Sequence, residues 1–290
     1  MQYTIENEIL SLTVDTHGAE MVSLIHKATG AQLLWNAGEA WNRHAPILFP
    51  YTGKVLEGKF AVDGVEYAGG QHGFARDMEH EMTALEKDAV EFALCSSPAT
   101  LEKFPFPFVL RTRYTLNGAT VRHTVKVENP GEGTLRFGLG FHPGFACPFD
   151  ADHDTQDYEF RFDVPQSPLV QETPGGFCDG VHRMIENSAV IPLTDQLFAD
   201  DSICMTELSA QSLSLVEKDT GRRVEVKIQG FPYVLIWSAP TKKIQFVCIE
   251  PWHSLPDRVD ASGRWEDKPC AAALAPGESW QTSLDMTFVR

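Results

Sequence analysis

The stretch Leu110-Arg111-Thr112-Arg113-Tyr114-Thr115-Leu116-Asn117-Gly118-Ala119-Thr120-Val121-Arg122-His123-Thr124-Val125-Lys126-Val127-Glu128 alternates apolar and polar residues on both sides of a turn dipeptide. Period 2 is the signature of a half-buried strand. The reading is a hairpin with arms Leu110–Leu116 and Ala119–Glu128, joined at Asn117-Gly118 in a type I′ turn. On the second arm Val121, His123, Val125 and Val127 share one face, and Arg122, Thr124, Lys126 and Glu128 share the other.

The same pattern recurs along the chain. Leu10, Leu12 and Val14 alternate with Ser11 and Thr13, and Val224, Val226 and Ile228 alternate with Arg223, Glu225 and Lys227. Trp280, Thr282, Leu284, Met286 and Phe288 mark a last strand. Phe231–Trp237 and Ile244–Ile249 are short apolar runs suited to buried strands. No segment carries three turns of i, i+3, i+4 apolar spacing. Pro165–Asn187 and Trp252–Ala273 are polar and turn-rich, and read as long loops. The expectation is an all-β chain, one large antiparallel β-sandwich or barrel.

A length of 290 residues allows two domains as a soft prior, but β-sandwiches often run well beyond the usual domain size. No Gly/Ser or Pro tract divides the chain, so residues 1–290 are read as one domain. The balance of 24 basic against 40 acidic residues gives a net charge of −16. Such a surface repels phosphate backbones and anionic lipid, which argues against nucleic-acid and membrane partners. The N-terminus shows no basic region followed by an apolar run, and no stretch of 18 apolar residues exists. The six cysteines form no C-x-x-C pair and read as buried thiols in a reducing compartment. A cytoplasmic location and a monomer or homodimer are expected.

Four local sequences resist explanation by packing alone. Arg43-His44-Ala45-Pro46-Ile47-Leu48-Phe49-Pro50 places a cation before an apolar segment held between prolines. An exposed Arg at a strand entry would look the same. Gln71-His72-Gly73-Phe74-Ala75-Arg76-Asp77 sets a glycine beside a histidine, which permits close backbone approach or an unusual turn. A surface turn with an Arg76–Asp77 pair is its plainer reading. In Gly140-Phe141-His142-Pro143-Gly144-Phe145 the proline biases His142 towards an extended conformation at a strand end. His142 alone reads equally as site or structure.

The fourth, Phe246-Val247-Cys248-Ile249-Glu250-Pro251-Trp252, ends an apolar run on a carboxylate. Such a group turns to solvent or is paired in a site. A desolvated Glu beside a polarising His can serve as general base. Trp237 and Trp252 offer flat apolar faces that suit sugar C–H groups, or serve as core. No G-x-S-x-G, P-loop, G-x-G-x-x-G or H-E-x-x-H motif is present. His72, His142 and Glu250 have the composition of a His₂Glu zinc set, but nothing in their spacing calls for one, and no metal is expected. His123, on the apolar face of its strand, reads as a core histidine with its hydrogen bonds satisfied. His17, His26, His80, His153 and His182 receive no role.

Taken in order, these motifs resemble the aldose 1-epimerase (galactose mutarotase-like) family, most closely its LacX-like branch. The resemblance spans nearly the whole chain, and Leu197-Phe198-Ala199-Asp200-Asp201 fits a position where an acid meets the sugar. It implies a galactose mutarotase-like β-supersandwich with a sugar-binding cleft and no cofactor. By the resemblance Glu250 is the general base and His142 the general acid. His72 orients the sugar or shares the acid role, and Arg43 and Arg76 donate to hydroxyls. Asp201, with Asp200 as a rival, and Trp252 complete the sugar contacts. The partner is then a small sugar, an aldohexose or its phosphate. Arg43, Lys54 and Arg76 are candidate phosphate ligands, yet the first motif lacks the glycines of the phosphate-specific branch, which favours a neutral sugar. A non-catalytic carbohydrate-binding or sensing protein on the same scaffold is the other reading. A glycoside-processing enzyme would need two flanking carboxylates, and only Glu250 stands out. For catalysis near neutrality Glu250 is expected ionised and His142 protonated, its pKa raised by a carboxylate.

Overall fold

The hairpin forms the middle of a nine-stranded antiparallel sheet. The computed structural model describes residues 1–289. From edge to edge this sheet runs Ser188–Pro192, Tyr158–Gln166, Ser212–Glu217, Arg223–Lys227, Ser279–Val289, Thr120–Glu128, Val109–Asn117, Ala89–Cys95 and Glu81–Leu85. The turn sits one residue later than the sequence suggests. Asn117 pairs with Thr120, so Gly118-Ala119 make the loop. Gly118 has φ +56° and Ala119 is not left-handed, the pattern of a type II′ rather than a type I′ turn.

Alternation then does what period 2 requires. Val121, His123, Val125 and Val127 are buried. Their outward neighbours form a polar ladder to Ser279–Val289, with Arg122 donating twice to Asp285 at 2.7 Å and Thr124 bonded to Ser283 at 2.9 Å. The inner face meets a second, eight-stranded sheet. Its order is Gly180–Arg183, Leu169–Glu172, Ile203–Thr206, Tyr233–Trp237, Phe246–Trp252, Gly140–Phe141 and Ile47–Leu48, with Gly144–Ala146 also paired to Phe246–Trp252. His123 packs edge-on against Phe141 with ring centroids 4.8 Å apart, and Phe145 meets Phe288 at 6.1 Å. One continuous buried cluster runs from Ile5 to Phe288 between these faces. A four-stranded sheet made of Gln2–Glu6, Leu10–Asp15, Glu20–His26 and Ala31–Gln32 adds Ile5, Leu12, Val14 and Leu24 to it.

Among the described residues the one α-helix is Pro98–Leu101, capped by Ser97, and no helix is long and apolar enough to cross a membrane. The segment read as a loop over residues 165–187 contains a short hairpin, Leu169–Glu172 with Gly180–Arg183. Its strands are too short and too exposed to show alternation. Cys147, Cys178, Cys204 and Cys248 are buried free thiols as expected, but Cys95 is exposed and Cys270 half-buried. His123 is a core histidine, its pKa pushed down to about 3 by burial, but it is not satisfied as expected: its Nε2 has no hydrogen-bond partner. His80, given no role above, is buried and bonds through Nε2 to the Ala75 carbonyl at 2.9 Å.

The two faces of the central strands should respond differently to truncation. Leu284→Ala, on the inner face and fully buried, should cost about 2–5 kcal/mol in urea unfolding. Arg122→Ala, which removes an outer-face ion pair, should cost less than about 1 kcal/mol.

Candidate active site

The strand Phe246–Trp252 is buried along its length, and period 2 divides it. Val247 and Ile249 face the main core. Cys248, Glu250 and Trp252 face the other way; Cys248 packs with Phe246 and Ala239, while Glu250 and Trp252 line a cleft of about 300 Å³ on the eight-stranded sheet. Leu235, paired with Glu250 across the ladder, lines the same cleft.

All seven residues singled out from the sequence line it: Arg43, His72, Arg76, His142, Asp201, Glu250 and Trp252. Between the two adjacent acids the structure selects Asp201, which reaches the cleft from a left-handed residue with φ +84°. His142 follows directly on Gly140–Phe141. Its Nε2 lies 3.2 Å from Glu250 Oε2, and both side chains are more than nine-tenths buried.

The His72 loop is built by its glycine. Gly73 has φ +67°, and a Cβ there would lie 2.0 Å from the Phe49 carbonyl oxygen. His72 is itself left-handed at φ +66°, a conformation that costs a non-glycine residue about 1–3 kcal/mol and persists where surroundings enforce it. The Gly53 amide donates to His72 Nδ1 at 3.0 Å. That bond fixes the tautomer: Nδ1 accepts and Nε2 carries the proton. The His72 ring stands edge-on to His142 at 5.6 Å and to Trp252 at 5.5 Å.

The cations on the rim are largely committed. Arg43 Nη2 donates to Asp77 Oδ1 at 2.6 Å, and Arg76 Nη2 donates to the Gln71 carbonyl at 2.9 Å. Lys54 Nζ donates to the Gly175 carbonyl at 2.8 Å. Burial, with Arg43 beside it, lowers Arg76 to about 10, still charged at neutral pH, and its Nε has no hydrogen-bond partner.

Protonation of the central pair departs from the sequence expectation. Burial, reinforced by Arg76 and Arg43, drives His142 down to about 3. Burial and the nearby Asp201 charge push the Glu250 carboxyl well above the usual carboxylate range. Desolvation of both groups outweighs the attraction that Glu250 was expected to exert on His142. Both shifts favour the neutral forms, a carboxylic acid beside a neutral imidazole, with the two atoms 3.2 Å apart. His72 is held neutral as well, by burial and then by its proximity to His142 and the two arginines.

Two tryptophans complete the walls. Trp41 stacks on His142 with centroids 5.0 Å apart and planes at 25°, and Trp237 meets the same imidazole edge-on at 5.6 Å. Trp237 was visible as a candidate in the sequence. Trp41 was not: its only sequence signal is an indole in a polar segment two residues before Arg43.

Gly73→Ala should cost at least about 2 kcal/mol from strain and the clash with Phe49, and should disturb His72. Gly64→Ala is the control, since Gly64 is also left-handed but nothing lies within 4 Å of its Cβ position. Urea unfolding of both variants checks the contrast.

The aldose 1-epimerase family profile matches residues 1–287. The plasmid and chromosomal forms of protein LacX from Lactococcus lactis subsp. lactis are each 30% identical to this chain over 301 aligned residues, covering all of both chains. A galactose mutarotase related enzyme from Lactobacillus acidophilus is 33% identical, with a TM-score of 0.95 over 100% of this chain and 98% of that one. A galactose mutarotase-like protein from Lactobacillus casei is 30% identical, with a TM-score of 0.92 over the full length of both. The antiparallel all-β architecture is therefore the galactose mutarotase-like fold, and the chain belongs to the aldose 1-epimerase family.

Proposed function

We propose that this protein interconverts the α and β anomers of a neutral aldohexose by opening and reclosing the sugar ring, with Glu250 and His142 as the acid/base pair. The observation that carries the reading is the close approach of His142 Nε2 and Glu250 Oε2, 3.2 Å apart at the buried side of a cleft. Ring opening takes a proton from the C1 hydroxyl and delivers one to the ring oxygen. Transfer of the Glu250 proton to His142 gives the reactive state, in which Glu250 accepts the hydroxyl proton while His142 protonates the ring oxygen. The C1–O5 bond breaks and the aldehyde forms. The pair is then left as carboxylic acid and neutral imidazole, the state that burial favours. Rotation about C1–C2 and reclosure return both protons, so the pair gains and loses none overall.

The walls fit a sugar. Trp41, Trp237 and Trp252 present apolar faces to C–H groups. Arg43, Arg76, His72 and Asp201 stand where hydroxyls would meet them. A neutral hexose is favoured over a phosphorylated one because Arg43 is already bound to Asp77 and Lys54 to a carbonyl. Asp201 adds negative charge to the same cleft, whereas a phosphate brings about two more.

Polarimetry or NMR anomer exchange on α-glucose, α-galactose and their 6-phosphates tests the reading. Acceleration is expected for a free hexose. Glu250→Gln and His142→Ala should each lose about 10²–10⁴-fold in kcat. Binding without acceleration of any sugar would make the protein a sensor instead. The pH profile is a separate check. His142 is lowered to about 3, so it loses its proton only in acid, while Glu250 is shifted upward by burial. kcat/KM should show no ascending limb near pH 6.5, where an ordinary histidine loses its proton. An ascending limb centred there would overturn the assignment of His142 as a neutral imidazole.

A further inference from the structure

We propose that His142, Cys248 and Glu250 form a binding site for a thiophilic divalent cation of the zinc class, and that the ion blocks the cleft by occupying the acid/base pair. Cys248 is a buried free thiol that anomer interconversion leaves without a task. It precedes Glu250 by two residues on the same strand face. One ligand atom from each of the three side chains lies within 4.8 Å of the others, and all three residues are buried.

The geometry suits a tetrahedral ion. Two N or O donors about 2.0–2.1 Å from such an ion stand about 3.3–3.4 Å apart, and His142 Nε2 and Glu250 Oε2 are separated by 3.2 Å. The two need no rearrangement to share an ion. Cys248 Sγ must approach by at most about 1 Å to reach a Zn–S distance near 2.3 Å, a shift within reach of side-chain rotation. Imidazole, thiolate and carboxylate are together a zinc donor set, and three protein ligands leave a fourth position open to the cleft. On binding, the thiol proton and the Glu250 carboxyl proton leave to solvent.

Resident metal sites brace the second imidazole nitrogen with an acceptor. His142 Nδ1 has no hydrogen-bond partner, so the ion would be held by its three ligands without that brace, as a reversible inhibitor. The other close His–carboxylate group, Asp150, His153 and Glu217, is already filled by Arg222, whose Nη2 lies 2.6 Å from Glu217.

Binding of the ion rests on this geometry alone, while its effect on turnover rests on the anomer-interconverting reading. The test is calorimetric titration of the full chain with ZnCl₂, and absorption spectroscopy with Co²⁺. One zinc per chain is expected, with a thiolate-to-cobalt charge-transfer band. Cys248→Ala and Cys248→Ser should bind at least tenfold more weakly and lose that band, with anomer exchange without metal retained. Cys95→Ser, at an exposed thiol, should behave as wild type. One equivalent of Zn²⁺ should slow wild-type anomer exchange at least tenfold, reversed by EDTA. Failure of wild type to bind zinc stoichiometrically, or equal binding by both Cys248 variants, would overturn the site. If wild type binds zinc and the variants do not, yet no sugar is accelerated without metal, the metal site stands and the catalytic reading falls.

Discussion

A β-strand has two faces, and in Phe246–Trp252 both are committed. Val247 and Ile249 are locked between the two large sheets, and that packing fixes the register of the strand to one residue. The opposite face then has no freedom: Cys248, Glu250 and Trp252 must point away from the core, at the spacing the pleat dictates. A slip of one residue would drive Glu250 into the sheet interface and turn Ile249 towards the cleft. The position of the carboxylate is thus paid for by hydrophobic burial on the other side of the backbone rather than by hydrogen bonds of its own.

The same burial sets the chemistry. Glu250 and His142 sit where neither charge is solvated, so each is driven towards its neutral form. The nearest fixed charges sharpen this, since Asp201 acts on Glu250 while Arg76 and Arg43 act on His142. Burial thus favours the carboxylic acid beside a neutral imidazole, which leaves one group able to give a proton and the other able to take one.

Much of this was legible in the sequence, in proportion to how local the signal is. Alternation in Leu110–Glu128 foretold the sheet and which residues face inward, because period 2 is a property of neighbours. The motif residues were found because glycines and prolines mark them, and Gly73 against Phe49 shows what such a glycine is for. Three features were hidden. The Gly118-Ala119 turn differs from the expected one by a single residue, a distinction set by strand pairing rather than by the dipeptide. Trp41 reaches His142 only because the chain returns on itself, and nothing in its own segment announces that contact. The protonation of His142 was misjudged because the depth of burial is a tertiary quantity, and it outweighed the nearby carboxylate.

The outermost strands have a consequence beyond the cleft. Gly180–Arg183, Ser188–Pro192 and Glu81–Leu85 end their sheets, and open edges invite pairing with another molecule. Each is only 4 or 5 residues long. Pro192 removes a donor from one edge, Arg183 places a charge on another, and the third is kinked by an irregularity between Met82 and Ala84. With a net charge of −16, chains meeting edge to edge would face both broken hydrogen-bond registers and mutual repulsion. These three edges are in this way protected against pairing with the strands of neighbouring molecules in a crowded solution.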